Sequence, residues 1–138
     1  MTNGEVLNYN RIIKNLIDNT TEINALVKFK LLGMLKQFEP VVQNYEMVRE
    51  DFIKNHGTYD ESGRFGIFPP ERKDDVSDED YNKEVDEFEK IMTEFNTALD
   101  EILNSESGIE IKKFKYTDIM DAGLPTEYLV AIYDLIEE

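Results

Sequence analysis

Apolar side chains recur along this chain in two long helical stripes separated by a polar connection. Val27, Leu31, Met34, Phe38, Val41, Tyr45, Val48 and Phe52 follow one another at steps of four and three, a spacing that keeps them on one face of an α-helix. Leu35 and Val42 widen that face enough for burial in a core. A second stripe, Tyr81, Val85, Phe88, Met92, Phe95, Leu99 and Ile102, has the same period. Each spans roughly 25 residues, or about 35 to 40 Å at the α-helical rise. The pattern predicts helices near residues 22–56 and 78–104 that pack antiparallel, with Phe38, Val41 and Tyr45 facing Phe88, Met92 and Phe95. The expected fold class is mainly α: a long antiparallel helical hairpin with short flanking helices and a minor β element, in one domain over 1–138.

The flanks are less regular. Gly4 to Asn8 has the character of a short strand, after which Asn8 is placed to cap a helix with Ile12, Ile13, Leu16 and Ile17 on its apolar face. Asn19 and Glu22 have the spacing of a capping box for the first long helix. Pro40 lies inside that helix and predicts a kink or a break, since its ring removes one backbone hydrogen bond. Gly57 after His56 suggests a left-handed stop. Residues 58–77 form the long connection. It carries the turn signal Asp60-Glu61-Ser62-Gly63, the aromatic run around Phe65 and Phe68, Pro69-Pro70 and a charged stretch. Ser77, followed by Asp78, Glu79 and Asp80, suits the start of the second long helix, where carboxylates meet the positive end of the helix dipole. Beyond it, Ile109 to Tyr116 is strand-like and is expected to pair near Glu5. Thr117 is placed to cap a turn ending at Gly123, and Leu124-Pro125-Thr126 to open a final helix with Leu129, Val130, Ile132, Tyr133 and Ile136 apolar.

Composition narrows the possible functions. At 41% hydrophobic and 11% aromatic, 138 residues are enough to build a core. There is no cysteine, so neither disulfides nor thiolate chemistry enter. Against 15 Lys and Arg stand 30 Asp and Glu, a net charge of −15 that opposes direct binding to nucleic acid or anionic membrane. The amino-terminal MTNGEVLNYN lacks a signal-peptide pattern, and no apolar run is long enough for a bilayer. The expectation is a protein of the cytoplasm, or of a virion, that neither spans nor binds a membrane.

Catalytic chemistry has little to build on. From Asp78 to Glu89 oxygen-bearing side chains fall at several positions of a calcium-loop register, but Lys83 stands where the loop requires glycine, and the helical stripe runs straight through. His56, the single histidine, suits a helix C-terminus better than a metal site. Nucleophile elbows, phosphate loops and dinucleotide fingerprints are absent. The reading is therefore of a non-enzymatic protein without cofactor, metal or catalytic residues. Its candidate contacts lie in the connection and the helix start after it: Phe65, Phe68, Asp74, Asp75, Asp78, Glu79 and Asp80.

The order of these elements resembles a family of small tailed-phage proteins of unassigned function. The likeness runs from Asn3-Gly4-Glu5 through the Lys28-to-Gly57 helix and Asp60-Glu61-Ser62-Gly63 to Ile109-Glu110-Ile111, and on to a closing helix ending Leu135-Ile136-Glu137-Glu138. The acidic segment around Glu71 to Asp80 departs from that pattern, and no functional residues carry over. The resemblance implies a structural or assembly-related interaction protein whose partner is another protein, itself included. The charge suggests a different role, an acidic inhibitor or nucleic-acid mimic occupying a basic host enzyme.

Overall fold

The computed structural model describes residues 1–137; Glu138, the last residue of the resemblance, lies outside the described residues. The fold is mainly α with a minor β component. In chain order come α1 (Asn3–Asn19), α2 (Ala25–His56), β1 (Thr58–Tyr59), β2 (Phe65–Gly66), α3 (Asp78–Asn104), β3 (Phe114–Lys115), α4 (Tyr116–Ile119), α5 (Thr126–Ala131), a 3-10 turn (Tyr133–Leu135) and β4 (Ile136–Glu137). No helix among the described residues is long and apolar enough to cross a membrane. The chain divides into two compact units, one of Met1–Gln43 with Leu103–Glu138 and one of Asn44–Ile102. Both long helices belong partly to each.

The first unit holds a continuous core. Val6, Ile13 and Leu16 of α1 meet Val27, Leu31, Met34 and Phe38 of α2, and Phe114, Ile119, Ala122, Ile132 and Leu135 complete the cluster. The residues of α2 in this set recur at steps of four and three, as the stripe requires. The amino terminus is helical where a strand was expected. Thr2 accepts from the Glu5 backbone N–H at 3.2 Å while the Glu5 carboxylate accepts from the Thr2 N–H at 2.7 Å, a capping box that starts α1 at Asn3. Asn8 is therefore mid-helix and caps nothing.

The start of α2 also moves. The Asn24 side chain accepts from the N–H groups of Leu26 and Val27 at 3.0 and 3.2 Å, displacing the expected Asn19/Glu22 box. The Asn24 N–H in turn donates to the Ala122 carbonyl at 2.8 Å. Gly123, at φ +85°, lies so close to the Glu22 carbonyl that no side chain fits there. The strand expected across 109–116 shrinks to β3, which pairs in parallel with β4 and not with the Glu5 region. Lys115, not Thr117, is the N-cap residue of α4. The expected final helix stops at Ala131, where a 3-10 turn and β4 succeed it.

In the second unit the chain enters along α2 at Asn44 and leaves along α3 at Ile102. Phe52, about two turns past entry, stacks on Phe95, about two turns before exit, with ring centroids 4.6 Å apart and planes 17° from parallel. Beyond the end of α2, Thr58 and Tyr59 share a cleft with Glu84, which precedes Phe95 on α3, so the two helical segments run in opposite senses. The register differs from the expected one: Phe95 meets Phe52, while Phe38 is buried among the residues of the first unit. Phe95 is the buried hydrophobic residue of this unit; Tyr81, Val85, Phe88, Ile91, Met92 and Leu99 remain half-buried. α2 continues unbroken through Pro40.

A candidate interaction surface on the second unit

Between the helices of the second unit the chain makes a two-residue antiparallel hairpin, Thr58 opposite Gly66 and Tyr59 opposite Phe65. Asp60 organises its loop. Its carboxylate accepts from the Ser62 N–H and hydroxyl at 3.0 and 2.8 Å, and from the Arg64 N–H and Nε at 2.8 and 3.0 Å. These bonds, the Ser62 hydroxyl foremost, hold the Asp60 carboxyl below the usual carboxylate range against some desolvation. Gly63, at φ +85°, supplies the left-handed residue that the loop needs.

Gly57 has a different reason to be glycine. Its φ is not positive, so it is no left-handed stop. A Cβ there would sit 2.5 Å from the Ile53 carbonyl oxygen and 2.9 Å from the Phe65 ring. Glycine lets the hairpin fold directly back onto the end of α2. Phe65 also meets Tyr59 edge-on at 5.1 Å, yet 44% of Phe65 and 75% of Tyr59 stay exposed.

The candidate residues of the connection and of the helix start after it separate into four groups. Phe65 belongs to the hairpin. Phe68 is half-buried, with the Arg64 guanidinium 5.9 Å from its ring centroid, and it lines an open cleft of about 370 Å³ with Tyr59, Pro70, Val76, Glu71 and Glu84. Asp78, Glu79 and Asp80 form the exposed first turn of α3, where Ser77 Oγ accepts from the Asp80 N–H at 3.2 Å. Asp78 is paired with Arg72, whose guanidinium also lies 5.1 Å from the Tyr81 ring, and Glu79 is 3.7 Å from Lys83. Asp74 and Asp75 sit exposed in the turn before α3 and make no ion pair among the described residues.

The chain matches no protein-family model, no curated protein and no solved structure. What the surface can do therefore follows from its own chemistry.

Charge is unevenly shared. The second unit carries 18 Asp and Glu against 7 Lys and Arg, and the first 12 against 8, so most of the net −15 resides in the unit that bears the cleft. Its apolar lining is rimmed by Glu61, Glu71 and Glu84, and Lys73 is the rim's one cation among the described residues. The residues from Asp78 to Glu89 form continuous α-helix, without the turn a calcium loop requires. No group of three or more His, Cys, Asp or Glu side chains gathers as metal ligands among the described residues.

A second surface escaped the sequence reading. Leu26, Phe29 and Leu32 of α2 are 61, 75 and 47% exposed, on the side of the helix opposite Val27, Leu31, Met34 and Phe38. Following the best-phased stripe hides them, because α2 is apolar on two faces. The available signal was the second run of apolar residues at steps of three, interleaved with Lys28, Lys30 and Lys36.

Proposed function

We propose that this protein is a non-enzymatic interaction module, of the structural or assembly kind found in tailed phages, which holds a protein partner at the acid-rimmed cleft of its second unit. The observation that carries this reading is the concave apolar lining of Phe68, Pro70 and Val76 rimmed by Glu61, Glu71 and Glu84. Apolar contact supplies affinity and the charged rim supplies selection and speed of encounter. The resemblance to small phage proteins supports the same class of role.

Concentration of negative charge in the second unit favours a second reading, an acidic inhibitor of a basic host enzyme. Capture experiments with the immobilised chain separate the two, using phage-infected and uninfected lysates at low and high salt. Interaction of the assembly kind retains a virion component or this same chain, and Phe68→Ala loses it. Joint reversal of Asp74 and Asp75 to Lys weakens capture mainly at low salt, where the acidic field reaches furthest. A basic nucleic-acid enzyme held only at low salt would select the inhibitor. Capture unaffected by any of these changes would remove the cleft from the reading.

A further inference from the structure

Phe29 is a large aromatic side chain left 75% exposed in the second turn of α2, with Leu26 and Leu32 one turn to either side. Between Ala25 and Phe38 the helix carries Lys28, Lys30 and Lys36 and no carboxylate. Lys14 of α1 joins Leu32 and Lys36 along an open groove of about 410 Å³, where Glu39 is the one carboxylate among the described residues. None of these four lysines forms an ion pair among the described residues, although the chain holds twice as many acidic as basic residues. The face is thus a knob of apolar surface with unspent positive charge around it. The cleft of the second unit is its converse, an apolar hollow ringed by Glu61, Glu71 and Glu84, which form no ion pair among the described residues.

We infer that copies of this chain associate head to tail, the lysine-flanked Phe29 face of α2 in one copy docking on the acidic cleft beside Phe68 and Glu84 in the next. This rests on the interaction reading above and names its partner. A second copy is the occupant because it carries both features the cleft selects, an exposed aromatic and several unpaired cations, on one helix face. Like charge elsewhere on two such acidic molecules keeps the association modest, while the local contact pairs opposite signs and so weakens as salt is added. Since knob and cleft are different surfaces, a docked head-to-tail pair leaves one knob and one cleft free, and such heterologous contacts continue to rings or open chains.

Sedimentation velocity of the full chain over a concentration series, at low and high ionic strength, tests the inference. The expected result is concentration-dependent growth that salt suppresses. Phe29→Asp, and separately Glu71→Lys with Glu84→Lys, should each weaken self-association by at least about tenfold, the effect of removing a hot-spot contact. All three positions are exposed, and circular dichroism verifies that the variants fold. Mixed together, the two variants should form a 1:1 complex and nothing larger, because each supplies the surface the other lacks. Unlabelled wild-type protein added to isotope-labelled Phe29→Asp should shift amides of residues 58–61 and 68–76, not those around position 29. A wild type that stays monomeric, growth indifferent to Phe29→Asp, or a mixture that stays monomeric would overturn the inference. If the chain is monomeric but still captures a virion component through Phe68, the interaction reading stands and head-to-tail association falls; if neither occurs, both fall.

Discussion

Asp60 concentrates more local order than any other side chain of the connection, since one carboxylate receives four donors from Ser62 and Arg64. Asp60→Ala should speed amide exchange at Ser62 and Arg64 while leaving the thermal midpoint nearly unchanged, because the hairpin is exposed and only two residues deep. The folded carboxyl has a lowered pKa, so its contribution is present above the unfolded value of about 3.9 and disappears as pH falls through the folded one. Protection of the same two amides, relative to their intrinsic exchange rates, should therefore fall as pH drops through the lowered folded pKa, and Asp60→Ala should lose that pH step. The turn was legible in the sequence because Asp, Ser and Gly at this spacing have few other uses. Gly57 was misread because sequence spacing suggests backbone handedness but cannot reveal the Phe65 ring that occupies the space of its missing side chain.

For whole elements, the stripe of α2 was legible down to Val27, Leu31, Met34 and Phe38 but fails at Val48, which is 45% exposed. Of the α3 stripe Phe95 is the residue that is buried, the others being half-buried, and the mutual register was not legible. Periodicity fixes which face of a helix is apolar, but the slide of one helix along another depends on what else competes for that face. Here α1 and the segments after α3 claim Val27 through Phe38, leaving Phe52 to meet Phe95. Phe38→Ala should cost about 3 to 5 kcal/mol in chemical denaturation, as for a fully buried aromatic. A double-mutant cycle between Phe52 and Phe95 should give a coupling of about 0.5 to 1.5 kcal/mol, while Phe38 with Phe95 should give none. Coupling between Phe38 and Phe95 would restore the register first expected from the pattern. The amino-terminal strand failed for a local reason, since Thr2 and Glu5 form a capping box that outweighs the weak strand character of Gly4 to Asn8. Thr2→Ala should cost about 1 kcal/mol, read from the same unfolding curves. The cleft residue Phe68 could be singled out from sequence as a candidate, but its company could not, because Tyr59, Val76 and Glu84 reach it from three separate segments.

At the level of the molecule, the two units differ in how they resist opening. The first has a contiguous fully buried core, and the second relies on Phe95 amid half-buried neighbours while carrying most of the negative charge. Amide exchange should accordingly be slower over Ala25–Phe38 than over Asn44–His56, although both belong to one helix. Added salt should narrow that difference by screening repulsion among the carboxylates of the second unit. Equal protection along all of α2, at every ionic strength, would mean that the units open as one. The first unit is also built from two stretches of chain, with the second threaded between Gln43 and Leu103. In modular terms the second unit is an insertion into a host fold that owns both chain ends. Leu103 lies against Gly4 of α1, and Gln43 lines a groove with Asn10 and Lys14 of the same helix, so a linker has about two to three turns of α1 to span. A shortened gene in which a Gly-Ser linker connects Gln43 directly to Leu103 should yield a self-sufficient miniature with a cooperative thermal transition, whereas the excised insert, with its single buried aromatic, should not melt cooperatively alone.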